Sequence, residues 1–263
     1  MGLVGVVCQM DQTYQPFDVC IGCHDSNSKE RNCHAPTALL KSMRDNHLTR
    51  KNAGVSATTI LSCAKALALM ELYDFYEPVI SGYNKFRGTL IHYLLEEDDP
   101  PDGVIQERRV ERFVNIDGAP FRVSGKMDRV DTRFNFLLDY KSCPNIPTKP
   151  KKSHEVQLNI YRWLLANGIF CDTGEQAQIE IEAVGIHYLT FHTKPDKAWK
   201  KMGYPTWDLQ DTEDFIIERA RPIQQWQLNH VMPECNMFEP SPYWLCDCAK
   251  HENQLADRGI SIG

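Results

Sequence analysis

Polar and apolar residues alternate along several segments of the chain, which is the pattern of a β-strand with one buried face. The alternation runs through residues 121–128 and 177–191, residues 104–116 also indicate a strand, and residues 134–141 form a denser apolar run that indicates a more buried strand. Short polar segments between the first three strands predict tight turns. We therefore predict three strands joined by turns, and a fourth strand later in the chain.

Apolar residues recur at helical spacing in other segments. The predicted helices cover residues 57–76, 89–97, 153–168 and 211–231. Ser56 is a suitable N-cap for the first helix, the second is predicted to follow Gly88, and Pro222 is predicted to interrupt the last. The order of helices and strands predicts an α/β domain with a mixed central sheet between helices.

The two ends of the chain carry weaker patterns. Residues 1–50 are polar, rich in cysteine and weakly periodic, and residues after about 232 are rich in proline and aromatic residues with few signals for helices or strands. We predict a cysteine-rich N-terminal segment over 1–50 and one main domain over 51–263 that ends in a cysteine tail.

Composition and charge limit the classes of function. The chain has 263 residues, of which 42% are apolar, so it can bury a substantial core. A formal net charge of −6 argues against binding nucleic acid through overall positive charge, but it leaves local basic contacts possible. The best candidates for phosphate contacts are Lys149, Lys151 and Lys152, with a solvated loop as the alternative.

The ten cysteines call for an explanation other than disulfides. No apolar run approaches the length that spans a bilayer, and the first residues lack the basic region of a signal peptide, so we expect a cytoplasmic protein without a membrane partner. In a reducing compartment, metal ligation is the usual reason for several cysteines.

Two groups of cysteines have spacings suited to metals. The first predicted set, a zinc site, is Cys20, Cys23, Cys33 and His34, although His24 or Cys8 could replace His34 and unligated thiols are the alternative. The second combines three cysteines of the tail with one from the first predicted helix: Cys63, Cys235, Cys246 and Cys248. Cys143 and Cys171 are isolated in the sequence and need no metal.

Two aspartates and a lysine lie near the ends of the two neighbouring strands predicted over 121–128 and 134–141. Asp139 and Lys141 are two residues apart and therefore share a face of their strand, and Asp128 on the preceding strand can face them across the hairpin. A D-x-K triplet alone is common and is usually a solvated ion pair at a strand end.

Four short motifs occur in a definite order along the chain: G-T-L-I-H at 88–92, G-K-M-D at 125–128, D-Y-K at 139–141 and Q-L-N-I-Y at 157–161. This succession resembles the RecB-like branch of the PD-(D/E)XK nuclease superfamily. The resemblance implies a restriction-endonuclease-like fold, with a mixed central sheet flanked by helices, to which this chain adds a cysteine-rich N-terminal extension.

The resemblance also implies roles for individual residues. Asp128 and Asp139 correspond to the acidic metal ligands, Lys141 to the catalytic lysine and His92 to the histidine that helps to hold the metal. Gln157 and Tyr161 correspond to a Q-x-x-x-Y motif that abuts the site and contacts DNA. The family often has Glu where this chain has Asp139, which shortens the reach of that carboxylate by one methylene.

These residue types suit hydrolysis of a phosphodiester. A divalent cation bound by carboxylates stabilises negative charge and supplies a nucleophilic water, and Mg²⁺ prefers such hard oxygen ligands. A histidine ligand favours Mn²⁺ somewhat, so we expect activity with Mn²⁺ at least equal to that with Mg²⁺.

The second cysteine group resembles the iron–sulfur ligands of CRISPR-associated RecB-type exonucleases and AddB-type helicase-nucleases. The resemblance implies a 4Fe-4S cluster on Cys63, Cys235, Cys246 and Cys248. Those relatives usually carry C-x-x-C followed by a third cysteine, whereas this tail has C-x10-C-x-C, so zinc or free thiols stay open as alternatives.

The resemblance implies a metal-dependent deoxyribonuclease, an exonuclease on single-stranded DNA or DNA ends. Its pathway stays open among repair, phage replication and CRISPR adaptation. Its partners are then DNA and a helicase or CRISPR adaptation proteins. The alternative is a nucleic-acid-binding adaptor or assembly subunit that retains the fold without catalysis. The intact set of Asp128, Asp139 and Lys141 favours the enzyme.

Overall fold

The computed structural model describes residues 3–8, 10–25, 35–48, 55–96, 99–238 and 246–260. The α-helices are α1 (Phe17–Asp25), α2 (Thr37–Leu48), α3 (Ala64–Leu72), α4 (Val79–Leu95), α5 (Lys152–Asn167), α6 (Pro195–Ala198), α7 (Leu209–Asn229) and α8 (Asp247–Asp257). The β-strands are β1 (Leu3–Val7), β2 (Tyr14–Pro16), β3 (Val55–Ser56), β4 (Phe75–Pro78), β5 (Val104–Ile116), β6 (Ala119–Asp131), β7 (Phe136–Ser142), β8 (Ile169–Phe170), β9 (Ala183–Leu189) and β10 (Trp199–Tyr204).

The chain divides into two compact units. One consists of Met1–Asn52, Cys63–Leu90 and Met232–Gly263, and the other of Ala53–Ser62 and Ile91–Val231. The domains predicted from the sequence, residues 1–50 and 51–263, stay a prediction, because compact packing is a different property from independent folding.

The second unit is built on a mixed sheet with the strand order β10-β9-β7-β6-β5-β8, and β3 lies beside β6. Strands β5, β6 and β7 are antiparallel, whereas β7 and β9 run parallel. Helices α5 and α7 bury apolar faces in this unit, including the fully buried Trp163. The predicted α/β fold, with a mixed central sheet flanked by helices, is confirmed.

A two-residue turn sets the register of the longest hairpin. Asp117 and Gly118 both have positive φ, 52° and 87°, as a type I′ turn requires. The turn pairs Ile116 with Ala119, and the same register continues to Val104 and Asp131 at the far end of the hairpin.

Helix α5 lies close against β6 at a glycine. A Cβ atom at Gly125 would lie 2.6 Å from the Tyr161 ring, so only glycine permits this approach. The contact holds the face of α5 that carries Gln157 and Tyr161 against the sheet.

The first unit has a small sheet of order β2-β1-β4. Val6, Leu39 and Leu40 belong to one apolar cluster of this unit, and Leu69, Phe75 and Leu255 belong to a second. Helix α8 packs against α3, and Gln254 on α8 exchanges hydrogen bonds with the backbone of Tyr76 on β4.

Several predicted helix boundaries are wrong. Ser56 does not begin an α-helix: it lies in β3, its hydroxyl accepts the N–H of Thr59 at 3.1 Å, and Thr59–Leu61 form a short 3₁₀ turn. Helix α3 starts only at Ala64. Helix α4 begins at Val79, so Gly88 lies in its interior. A single glycine costs a helix only about 1 kcal/mol, which tertiary packing can offset.

Two further predictions about the C-terminal part are also wrong. Helix α7 continues through Pro222 without interruption. The tail, for which no element was predicted, contains α8, whose apolar face packs against α3. None of the helices in the described part of the chain combines the length and apolar character that a bilayer crossing needs.

Candidate functional site

A row of carboxylates crosses three neighbouring strands of the large sheet. The register of β5 and β6 places Glu107 opposite Asp128, between the pairs Gln106–Arg129 and Arg108–Met127. The ladder between β6 and β7 ends at the Arg129–Leu138 pair, and Asp128 and Asp139 are the next residues along the two strands. Three acidic side chains therefore lie at one level of the sheet.

The two oxygens of Asp128 have different surroundings. Oδ2 accepts the backbone N–H of Tyr140 at 2.6 Å, at the point where the ladder with β7 has ended. Oδ1 lies 3.3 Å from Nδ1 of His92. Asp128 is only 7% exposed, so the backbone N–H fixes a nearly buried carboxylate with one oxygen towards the imidazole.

His92 lies in the last turn of α4 and faces two carboxylates. Its Nδ1 is 3.3 Å from Asp128 and 3.5 Å from Oε1 of Glu107. Asp128 and Glu107 together raise the pKa of His92 to about 10, against the opposing effect of burial. Burial disfavours ionisation of Glu107, but His92 and Lys126 outweigh it and hold the pKa of Glu107 below its ordinary value.

Asp139 forms a buried ion pair with Lys141. Nζ of Lys141 lies 2.8 Å from Oδ2 of Asp139, whose side chain is 2% exposed. Within the described residues Oδ2 has no aligned hydrogen bond, so this contact is one of charge. Burial raises the pKa of Asp139 to about 6, and the ammonium of Lys141 opposes the shift. In return, Asp139 raises the pKa of Lys141 although burial favours the neutral amine.

Gln157 and Tyr161 support this pair from α5. Nε2 of Gln157 donates to Oδ1 of Asp139 at 3.2 Å and to the hydroxyl of Tyr161 at 2.8 Å. Both side chains are buried, so they contact the acidic site and not the surface. The predicted contact of these two residues with DNA stays a prediction.

The predicted basic residues lie in the segment that leads into α5. Lys149, Lys151 and Lys152 are all exposed. Lys152 contacts Glu155 at 2.5 Å and lies 4.7 Å from the centre of the Trp207 ring. The side chains of Lys149 and Lys151 are exposed, so their positive charges face solvent.

Four sulfurs converge in the other unit. The Sγ atoms of Cys63, Cys235, Cys246 and Cys248 all lie within 4.8 Å of one another. The Sγ atoms of Cys63 and Cys235 are 3.9 Å apart. Cys63 is the N-cap residue of α3 and Cys246 that of α8, so the two helices begin at this group. Oδ1 of Asn236 accepts the backbone N–H of Ala64 at 2.7 Å, which links the segment that follows Cys235 to the first residue of α3.

The N-terminal cysteines are only partly within the described residues. Cys33 and His34 lie outside them, as does the side chain of His24. Cys20 is buried in an apolar cluster that includes Phe17, and Cys23 is half-buried. The predicted zinc site therefore stays a prediction.

A family model for the PD-(D/E)XK nuclease superfamily matches residues 57–248. The chain belongs to the PD-(D/E)XK nuclease superfamily. No curated protein matches the chain. The predicted nuclease superfamily is thereby confirmed, while the RecB-like branch and the association with CRISPR stay proposals.

Two solved structures resemble this PD-(D/E)XK chain. The crystal structure of SSO0001 is 19% identical, with a TM-score of 0.51, over 73% of this chain and 86% of that one. A phage related exonuclease from Haemophilus somnus 129PT is 11% identical, with a TM-score of 0.40, over 71% of this chain and all of that one. At such identity the first likeness concerns the fold alone, and the second is too weak to carry an inference.

PD-(D/E)XK nucleases use divalent metals, and the donor atoms of this chain suit one. Single atoms of His92, Glu107 and Asp128 lie within 4.8 Å of one another. The buried Oδ2 of Asp139 also lacks an aligned hydrogen bond, which is an unusual state for a buried oxygen. One imidazole nitrogen and carboxylate oxygens form a donor set suited to Mg²⁺ or Mn²⁺.

Glu107 is the residue of this PD-(D/E)XK site that the sequence analysis missed. A usable signal was present in Asp117-Gly118, which favours a two-residue hairpin turn. Counting outwards from such a turn places residue 107 opposite residue 128. A carboxylate in mid-strand opposite a candidate ligand would have been a reason to include Glu107.

Proposed function

We propose that this chain is a metal-dependent DNA nuclease of the RecB-like branch, an exonuclease acting on single-stranded DNA or DNA ends. One observation carries the proposal: Asp128, Asp139 and Lys141 from adjacent strands lie beside His92 in one acidic site. A chain that retained the fold only for binding would have no need to bury this set of charges, because burial of charge is costly.

The proposed ligands of the catalytic Mg²⁺ or Mn²⁺ are His92, Asp128 and Asp139. Such a cation stabilises charge on the scissile phosphate and lowers the pKa of a bound water towards neutrality. The backbone N–H of Tyr140 orients Asp128 for this purpose, and Gln157 orients Asp139. Orienting contacts of this kind commonly change metal affinity or activity by about 10- to 100-fold.

Lys141 is the proposed catalytic lysine. Asp139 keeps its ammonium charged and fixes it at the edge of the site, where it is a quarter exposed. A fixed positive charge stabilises the negative charge that develops on a phosphate oxygen during attack. Tyr161 contributes by holding Gln157, and it is buried too deeply to take part in proton transfer at neutral pH.

The exposed Lys149, Lys151 and Lys152 are the proposed phosphate contacts. Lys149 and Lys151 lie between β7, which carries Asp139 and Lys141, and α5, which carries Gln157, and Lys152 is the first residue of α5. Loss of one such contact is expected to weaken DNA binding uniformly across sequences and to reduce its salt dependence.

A cleavage assay tests the proposed activity. Single-stranded and double-stranded DNA, labelled at either end, is incubated with Mn²⁺ or Mg²⁺ and with wild type, Asp128→Asn or Lys141→Met. We expect wild type to shorten labelled strands and both variants to lose at least about 100-fold in rate. Asp131→Asn is the matched control, because Asp131 lies on the same strand but pairs with Arg133 outside the site.

Three outcomes distinguish the possibilities. Cleavage that is equal in wild type and Asp128→Asn would show that another site or a contaminant is responsible. DNA binding without cleavage by wild type favours the adaptor or assembly subunit. Cleavage with Mg²⁺ but none with Mn²⁺ contradicts the proposed preference for Mn²⁺.

The group of Cys63, Cys235, Cys246 and Cys248 is proposed as a structural metal site. The resemblance to CRISPR-associated exonucleases favours a 4Fe-4S cluster. The sulfur separations favour zinc, since zinc–sulfur bonds of about 2.3 Å in a tetrahedron place sulfurs about 3.8 Å apart. Anaerobic purification with an absorption spectrum and metal analysis separates the two, because a cluster is brown and absorbs near about 400 nm.

The proposed partners besides DNA are a helicase or CRISPR adaptation proteins. The 263 residues contain no helicase motif, and a helicase partner is proposed to supply the unwinding of duplex DNA. Addition of such a partner is expected to extend cleavage from single strands and ends into duplex DNA.

A further inference from the structure

We propose that a groove beside the acidic site, lined by His192, Lys197 and Lys200, binds phosphates of a single DNA strand close to the bond that is cut. The inference rests on the proposed nuclease and deepens it, because it assigns a binding site to the backbone of the substrate. His192 follows β9, Lys197 lies in α6 and Lys200 lies on β10. None of the three belongs to the motifs from which the nuclease was predicted.

The register of the sheet places Lys200 near Lys141, the proposed catalytic lysine. Tyr188 on β9 pairs with Lys141 on β7 and with Lys200 on β10. Side chains that pair across neighbouring strands point to the same face, so Lys141 and Lys200 share the face that carries Asp139. Neighbouring strands are about 4.8 Å apart, which puts the two lysine positions about 10 Å apart along the sheet. A DNA strand held at Lys141 can therefore extend to Lys200.

The groove has a volume of about 350 Å³, which is within the usual size of ligand-binding clefts. One wall is the segment 144–148, which continues into the exposed Lys149 and Lys151. The other wall contains Thr190, His192, Lys197 and Lys200. The groove thus places further basic side chains opposite the segment that leads to the phosphate contacts already proposed.

Positive charge is concentrated on this second wall. Residues 190–201 contain four lysines and one aspartate, although the whole chain has a net charge of −6. Lys197 and Lys200 are both exposed, and within the described part of the chain neither ammonium pairs with a carboxylate. Their charges are therefore available to the phosphates of a nucleic-acid backbone.

Hydrogen bonds hold the second wall in one conformation. The N–H of Thr190 donates to the carbonyl of Ala198 at 2.7 Å, and its hydroxyl donates to the carbonyl of Lys197 at 2.7 Å. Nδ1 of His192 accepts the backbone N–H of Lys194 at 3.0 Å, so a neutral imidazole carries its proton on Nε2. Nε2 is then a hydrogen-bond donor that suits a phosphate oxygen. Groups that are fixed in advance lose little conformational freedom when a ligand binds.

Two exposed aromatic side chains favour a single strand over a duplex. Phe191 is 66% exposed and Trp199 is 55% exposed, and they are the sequence neighbours of His192 and Lys200. Aromatic rings beside a basic groove stack on the bases of a single strand. In a duplex the bases are already paired and stacked, so these rings would have no equivalent contact.

Binding of single-stranded DNA in buffer without divalent cations tests the groove independently of cleavage. The Kd of the full chain for a fluorescently labelled single strand is measured by anisotropy at several salt concentrations between about 50 and about 200 mM. We expect Lys200→Gln to raise this Kd about 3- to 10-fold and to reduce the slope of log Kd against log salt by about 0.7, the value for one phosphate contact on a single strand. Lys197→Gln should act in the same direction, and the double variant should reduce the slope by about 1.4.

Lys201→Gln is the matched control, because it removes the same charge from the next residue of β10. Lys201 is also exposed, but it pairs with His187 and therefore points to the opposite face of the sheet. We expect its Kd and salt slope to match those of wild type within about twofold. Circular dichroism checks that all variants are folded.

Four results decide the inference and separate it from the proposed activity. If Lys197→Gln and Lys200→Gln bind the single strand as wild type does, the groove is not a DNA site, and the proposed nuclease stands wherever wild type cleaves DNA. If Lys201→Gln weakens binding as much as Lys200→Gln, the effect is one of net charge and the inference fails. If Lys200→Gln weakens binding of a blunt duplex as much as that of a single strand, the assignment to a single strand is wrong. If wild type binds single strands through Lys200 but cleaves none, the inference stands and the proposed nuclease fails.

Discussion

Replacement of Lys141 by methionine should destabilise the protein by an amount that grows with pH. Lys141 is the cation next to Asp139, whose side chain is 2% exposed and whose pKa burial raises to about 6. Without the ammonium, the folded chain must protonate Asp139 to keep it buried. Methionine has a similar shape to lysine but no charge. Any change in the free energy of unfolding that comes from its packing is therefore the same at every pH.

The magnitude follows from the linkage between proton binding and stability. In Lys141→Met the folded-state pKa of Asp139 rises further above its unfolded value of about 3.9, so stability falls as pH rises. Relative to wild type, the added loss is about 1.4 kcal/mol for each pH unit above about 6. We expect an electrostatic loss that grows between pH 6 and pH 8 to about 1 to 3 kcal/mol, approaching the cost of breaking a buried ion pair.

Urea unfolding at pH 6, 7 and 8, in buffer without divalent cations, measures this loss. Tryptophan fluorescence is a suitable signal, since Trp163, Trp199, Trp207 and Trp226 all belong to the unit that contains the site. In an Asp139→Asn background the same substitution should show no growth with pH. A loss from Lys141→Met that is the same at pH 6 and pH 8, or unchanged by Asp139→Asn, would refute the assignment of a charged buried pair.

Three further predictions concern the histidine next to the site, the close helix contact and the cysteine group. Burial, with neighbouring lysines, lowers the pKa of His154 to about 4. Below pH 6.5 the unfolded chain therefore binds a proton that the folded chain does not. The free energy of unfolding should fall by about 1 to 2 kcal/mol between pH 6.5 and pH 4, because solvent screening reduces the effect at this partly exposed group. His154→Phe should flatten this part of the pH profile in urea unfolding. Gly125→Ala should lower the free energy of unfolding by about 1 to 3 kcal/mol, because the new Cβ would lie 2.6 Å from the ring of Tyr161. Gly203→Ala is the control: its Cβ would have no atom within 4 Å, so the change should be less than about 0.5 kcal/mol. Cys248→Ser should lower the bound iron or zinc measured by metal analysis, and unchanged metal content would contradict the assignment of the four-cysteine site.

Local patterns predicted the strands β5, β6 and β7 better than the helix ends, whereas the strand predicted over 177–191 begins only at Ala183. The alternation that predicts β6 and the dense apolar run that predicts β7 depend only on which faces of each strand are buried. Helix ends depend on competing interactions that are hard to rank from sequence. Ser56 is a suitable N-cap by residue type, but in the structure it lies in β3, which pairs with β6, and its hydroxyl accepts the N–H of Thr59.

Within the site, the sequence by itself determined that Asp139 and Lys141 share a face, because side chains of a strand repeat every two residues. It also contained the turn that places Glu107 opposite Asp128. Only the tertiary structure decided that the imidazole of His92 faces these carboxylates, that Asp139 is buried, and that sulfurs 172 residues apart meet. The physical reason is that strand periodicity and turn geometry act between near neighbours in the chain, whereas burial and charge pairing depend on which distant segments pack together.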